Sequence, residues 1–171
     1  MKTISFPLKV SELRRHAGNR QDVVKSMDLG GLGVSTASVP DGSMVELVAT
    51  VEAISDGVVL NGHLKVPWQG ECRRCLEMTS GVIDVEVAEI YKDKPIDDML
   101  PIIDDSIDLG TAVRDAVLLT LPLAPLCRDD CAGPIPEEFP VVAHQDEVAP
   151  KVDPRWAALD ELRFDADTES R

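Results

Sequence analysis

Residues 43–66, SMVELVATVEAISDGVVLNGHLKV, alternate apolar and polar side chains along two arms, with Ser55-Asp56-Gly57 between them. A period of two puts Val45, Leu47 and Ala49 on one face of a strand, and a short turn rich in Asp and Gly reverses the chain. The stretch therefore predicts an antiparallel hairpin with arms at 43–54 and 58–66, and a chain built around it is a sheet protein. The second arm runs through Leu60, Leu64 and Val66 into Pro67 and Trp68. Residues 81–91 alternate again, with Val82, Asp84, Glu86 and Ala88 set against Ile83, Val85, Val87 and Glu89. They read as a returning strand, which makes the residues between the tip of a second hairpin.

Outward from this core the signals change. Residues 3–10 alternate loosely and predict a strand, after which Ser11 can cap a short helical turn through Glu12, Leu13 and Arg14. The run GGLGVSTASVPDG at 30–42 has no periodicity and is expected to be a loop. Its GGLG piece lacks the spacing of a phosphate cradle. Residues 92–108 form an acidic, Pro-bearing connection. Asp108 then caps a helix reading LGTAVRDAVLLTL, which Pro122 ends. Leu109, Val113, Ala116, Val117 and Leu121 fall at helical spacing, a stripe suited to covering one sheet face. The expected fold class is α+β: an antiparallel hairpin and meander sheet covered by one main helix, occupying residues 1–133 as a single domain. Residues 134–171 are expected to be an acidic, partly irregular segment with a short helix at 154–163, capped by Asp153 with Pro154 at its first position.

The chemistry lies in four cysteines, Cys72-x2-Cys75 and Cys127-x3-Cys131, the only ones in the chain. Two closely spaced thiol pairs are what a tetrahedral zinc site needs, because one turn then supplies two ligands without strain. The fifty-one residues between the pairs exceed a zinc-ribbon gap, so the pairs must meet across a folded domain. Structural zinc competes with two other readings, a redox-active or disulfide pair and thiols without a ligand. A thioredoxin-like pair wants a βαβ unit, whereas the pattern here is a hairpin. Catalytic zinc ranks lowest, since four thiolates leave no position open for water. His16, His63 and His144 are scattered without partners, and no G-x-S-x-G, H-E-x-x-H or Walker spacing occurs. No enzymatic activity is expected.

With 171 residues, 44% of them hydrophobic, the chain can bury an ordinary core. Its 17 Lys and Arg against 31 Asp and Glu give a net charge of -14, which argues against a general affinity for nucleic acid. The charge is uneven. Residues 1–30 carry six basic and three acidic side chains, and residues 129–171 carry four basic and twelve acidic ones. Arg14, Arg15, Arg20 and Lys25, with Arg73 and Arg74 between the first two cysteines, are the candidate phosphate contacts. The plainer reading of each is a solvated surface charge. The longest apolar stretch, 116–126, is broken by Thr120, Pro122 and Pro125 and is too short to span a bilayer. The first fifteen residues lack the pattern of a secretory signal, so a cytoplasmic location is expected.

Three segments together resemble one family. They are Glu71-Cys-Arg-Arg-Cys-Leu76, the run Leu119-Thr-Leu-Pro-Leu-Ala-Pro-Leu-Cys-Arg-Asp-Asp-Cys131, and Asp153-Pro-Arg-Trp-Ala-Ala-Leu-Asp-Glu-Leu162. The chain is similar in these motifs, and in their order, to the YceD family of large ribosomal RNA subunit accumulation proteins. The resemblance implies a non-enzymatic bacterial protein that supports synthesis, processing or stability of 23S rRNA during large-subunit assembly. Many relatives carry further cysteines after the second pair, where this chain has Gly133-Pro-Ile-Pro136. Any zinc must then bridge all four cysteines. Three functions follow for test: a factor binding precursor 23S rRNA or the nascent particle, an acidic adaptor for a basic ribosomal protein, and a zinc- or redox-responsive regulator.

Overall fold

The computed structural model describes residues 4–96, 99–135 and 137–138. The chain divides into units Met1–Pro140 and Val141–Arg171, and every described residue belongs to the first. The helix expected at 154–163 lies outside the described residues. From the N-terminus, β1 (Pro7–Lys9) passes through a 3-10 turn at Leu13–Arg15 into β2 (Arg20–Asp28), β3 (Ala37–Ser38), β4 (Met44–Ile54), β5 (Gly57–Glu71) and β6 (Met78–Lys92). Two short strands follow, β7 (Leu100–Pro101) and β8 (Ser106–Asp108), and then helix α1 (Leu109–Thr120).

The hairpin expected at 43–66 forms between β4 and β5, paired antiparallel from Val48↔His63 to Ile54↔Gly57. β5 and β6 pair over fifteen residues, from Gly57↔Lys92 to Glu71↔Met78. The sheet runs in the order β2-β4-β5-β6-β7, with β3 against the far end of β5, and β1 and β8 form a separate two-stranded ribbon. Sheet outweighs helix more heavily than the sequence suggested. The loop expected at 30–42 contains β3, and the acidic connection expected at 92–108 contains β7 and β8.

β2 has a pattern unlike a strand, because only Val23 and Met27 are buried along it. A spacing of four is helical in appearance. Pairing with β4 from Arg20↔Glu52 to Asp28↔Met44 nevertheless extends it, and a strand at a sheet edge buries little on either face.

One face of the sheet is dry. Val45, Leu47, Val51, Leu60, Leu64, Val66, Val85 and Val87 are buried there, and Leu109, Ala112, Val113 and Val117 of α1 are buried in the same core. Each such aliphatic side chain contributes about 1.5–3 kcal/mol by leaving water. Asp108 fixes the helix start: its Oδ1 accepts from the Gly110 N–H at 2.9 Å and from the Phe6 N–H at 2.7 Å. The same carboxylate caps α1 and ties it to the segment before β1. Gly70 lets other segments approach the end of β5, since a Cβ there would lie 2.4 Å from the Thr36 carbonyl oxygen and 3.3 Å from Pro125 Cγ.

Candidate metal centre

The turn joining β5 to β6 carries the first cysteine pair. Cys72 N–H donates to the Glu77 carbonyl at 2.8 Å and Leu76 N–H to the Cys72 carbonyl at 2.9 Å, which closes a tight loop over residues 72–77. Leu76 accepts a left-handed φ of 64° to complete it. The second pair arrives from α1. The helix ends before Pro122, and the chain then bends at Leu121 and at Leu123–Ala124 rather than running extended. The Thr36 hydroxyl donates to the Pro122 carbonyl at 3.0 Å, and the Pro125 carbonyl accepts from Arg73 N–H at 2.9 Å. Two sequence-distant loops are thereby laid against each other.

Arg74 completes the join. Its Nη1 donates to the carbonyls of Asp129 and Cys131, both at 3.0 Å, so a side chain of the first loop satisfies the backbone of the second. The four sulfurs then lie within 4.8 Å of one another. Cys72 and Cys131 Sγ are 3.9 Å apart, and Cys75 and Cys127 Sγ are 3.8 Å apart. A tetrahedron of sulfurs about 2.3 Å from zinc has edges of about 3.8 Å. The donor set fits a metal of that size and softness. All four thiols are free, and disulfide bonding would require about 2.05 Å.

The electrostatics favour the same chemistry. The backbone N–H groups of Cys75 and Cys127 point at the Cys72 sulfur and hold its pKa down to about 6. Cys127 is pushed up to about 12 by the neighbouring Cys131 sulfur and then by burial. Cys75 is drawn down by the Glu77 N–H, but burial and the Cys72 and Cys131 sulfurs outweigh that and leave it above the ordinary thiol range. One thiolate forms readily in this cluster, and further ones are opposed by their neighbours. A divalent cation removes that opposition. Cys72 and Cys131 are buried while Cys127 is exposed, so the cluster sits at the surface with one side covered.

The candidate phosphate-binding residues do not converge on one patch. Arg73 is exposed on the first loop, and Arg74 is half-buried with its guanidinium on the second. Arg14 pairs with Asp93 and with Asp105, Arg15 lies 3.9 Å from Glu12, and Arg20 Nε lies 3.0 Å from Glu52. Lys25 is exposed on β2 opposite Leu47. Asp93, the partner of Arg14, follows the end of β6 remote from the cysteines. Fourteen strand steps of about 3.3 Å separate the two ends by up to roughly 45 Å. Arg128, between Cys127 and Asp129, was not singled out in the sequence. It is 67% exposed, beside the cluster, with its Nε 3.3 Å from Asp130.

Among the described residues, a strand-rich sheet with one α-helix and a four-cysteine knuckle, made by the turn after β5 and the loop after α1, defines the class of protein. The model of the family described as large ribosomal RNA subunit accumulation protein YceD matches residues 60–163, which include both cysteine pairs. The chain belongs to the YceD family. It is 34% identical over 140 residues to uncharacterized proteins of Mycobacterium tuberculosis and Mycobacterium bovis, covering 77% of this chain and 68% of theirs. An uncharacterized protein of Mycobacterium leprae is 29% identical over 143 residues, covering 78% of this chain and 66% of its own length. No solved structure matches the chain. Among the described residues no helix is long and apolar enough to cross a membrane.

Proposed function

We propose that this protein is a non-enzymatic, cytoplasmic ribosome-biogenesis factor that promotes accumulation of large-subunit RNA, holding a structural zinc at Cys72, Cys75, Cys127 and Cys131. The observation that carries the reading is the family match across residues 60–163, whose description ties the family to large-subunit ribosomal RNA. Zinc would be held by all four thiolates, leaving no open position for water or substrate, and would act as a staple between the loop after β5 and the loop after α1. Arg74 would keep the second loop in register for the metal.

The surface of the knuckle is the face that meets precursor 23S rRNA or the nascent particle in this reading. Arg73 and Arg128 stand there in solvent, and together with the covered Arg74 they offset the excess negative charge of a zinc ion with four thiolates. In-cell crosslinking followed by sequencing of attached RNA and identification of attached proteins tests it. Enrichment at discrete 23S precursor positions is expected, and its absence overturns direct RNA contact.

A second reading has its own support. The net charge of -14, and the pairing of Arg14 and Arg20 with carboxylates, favour an acidic adaptor that captures a basic ribosomal protein. In the same experiment that function would give crosslinked ribosomal proteins without RNA.

A further inference from the structure

Among the described residues β6 pairs with β5 along its whole length, and on its other side only Tyr91 and Lys92 are paired, parallel with β7. Its hydrogen-bonding direction is fixed at both ends. Cys72 N–H donates to the Glu77 carbonyl at 2.8 Å, which continues the β5–β6 register, and the Lys92 carbonyl accepts from Ile102 N–H at 2.9 Å on the other side. Bonding alternates along an antiparallel strand, so the odd-numbered residues of β6 bond to β5 and the even-numbered ones face away from it. Ser80, Val82, Asp84, Glu86 and Ala88 therefore direct their N–H and C=O groups out of the sheet, and all five are exposed.

We propose that this edge takes up an extended segment of a partner protein, one in which basic and apolar residues alternate, as an added strand beside β6. The inference gives the adaptor reading its site and rests on that reading. Asp84 and Glu86 point to the same outer face of the sheet, so the residues that face them across a new ladder are favoured when positive. Asp84 lies 3.1 Å from Lys65 with both side chains in solvent, and Glu86 has no ion-pair partner among the described residues. The net charge of -14 draws a basic segment towards such an edge and repels a phosphate backbone. A second copy laid antiparallel along the full length of the edge would set Asp84 against Asp84, a like pair that is unfavourable.

The other face of the added strand meets different chemistry. A groove of about 540 Å³ opens beside the edge between Glu89 of β6, Leu100 of β7, and Ala112, Asp115, Leu118 and Leu119 of α1. Leu118 is half-buried and Leu119 is 87% exposed. Every second side chain of the incoming segment turns towards this groove, and an apolar one covers leucine surface that is otherwise in water. The alternation of the ligand is thus set by the pleat: charge opposite Asp84 and Glu86, apolar side chains over α1. β7 already lies in the same layer at Tyr91 and Lys92, so the edge accepts a neighbouring strand without a clash from the helix.

Fluorescence anisotropy of the full chain with a labelled peptide of about nine residues alternating Lys and Val tests the proposal. Saturable binding of one peptide per chain is expected. A peptide of the same composition with Lys and Val arranged in pairs is expected to bind about tenfold more weakly, because it cannot place its charge on one face of a strand. Val82→Pro removes an outward N–H without touching an intrachain hydrogen bond, and Glu86→Lys reverses a charge and leaves the backbone alone. Each is expected to cost about tenfold in affinity with circular dichroism unchanged. Amide exchange at Ser80, Asp84 and Glu86 should slow when the alternating peptide is bound. Equal affinity for the two peptides overturns the proposal, as does a folded Glu86→Lys variant that binds like the natural chain, or exchange that slows elsewhere but not on β6. Crosslinking in cells separates the site from the reading beneath it. Ribosomal proteins attached equally to the natural chain and to Glu86→Lys would leave the adaptor function standing and overturn this edge as its site, whereas a natural chain with no attached protein overturns both.

Discussion

If the four cysteines hold zinc as proposed, removing it, or replacing the buried Cys72, should destabilise the described unit by an amount set by loop closure. Cys72 and Cys131 are 59 residues apart in sequence, and a zinc ion bridging them closes that loop much as a covalent cross-link would. Chain-entropy arithmetic for a closure of that size gives about 4 kcal/mol at 25 °C. Weak binding of zinc to the unfolded chain will reduce this figure. For a unit of this length the loss corresponds to a fall in Tm of roughly 10–16 °C. The assay is differential scanning calorimetry with and without a chelator, after elemental analysis of the purified protein. One zinc per chain is expected, and the chelator should lower the natural Tm to that of Cys72→Ser. The chelator should then leave Cys72→Ser almost unmoved, because the two perturbations remove the same cross-link and cannot add. Full additivity would refute the bridging argument, as would a protein isolated without stoichiometric metal whose Tm ignores chelation.

Other perturbations address the parts that build the site. Arg74→Ala deletes both bonds to the second loop and is expected to weaken zinc binding by about 10–100-fold, as outer partners of metal ligands do, in competition titrations against a chromophoric chelator. Lowering the pH should release the metal, since each sulfur must stay deprotonated to bind. Zinc retention, followed by elemental analysis, should therefore fall as the pH is lowered. Asp108→Ala removes the cap of α1 and the acceptor of Phe6 N–H, for an expected loss of about 2 kcal/mol in urea unfolding, with zinc content unchanged.

The parts of the fold legible in the sequence are those where one physical signal dominates. β4, β5 and β6 alternate because one face is dry, and α1 is announced by Asp108 and ended by Pro122. β2 is hidden because an edge strand half out of water shows burial only at Val23 and Met27. β3, β7 and β8 are too short to display a period and exist through pairing with distant partners. Cysteine spacing indicated the site, and folding brings the two pairs together. Sequence could not reveal Arg74 as the clasp between the loops. Its acceptors are backbone carbonyls, which every residue carries, so only the folded geometry selects Asp129 and Cys131.

That role for Arg74 separates the two functional readings, because neighbouring arginines now have different duties. Charge reversal at Arg74 would disturb the metal loop and RNA affinity together and so distinguish nothing. Arg73 and Arg128 are exposed, and Arg73 uses only its backbone N–H in the loop contact, so Arg73→Glu with Arg128→Glu alters the knuckle surface at constant architecture. If these side chains touch phosphate, the log–log salt dependence of binding to a 23S precursor fragment should fall by about 0.7 for each single-strand phosphate no longer neutralised. Zinc content and Tm should stay where they were. Under the adaptor reading the same double variant leaves capture of a basic ribosomal protein intact, or strengthens it, since two positive charges have been replaced by negative ones. Opposite signs of response from one folded variant decide whether the knuckle addresses RNA or a protein.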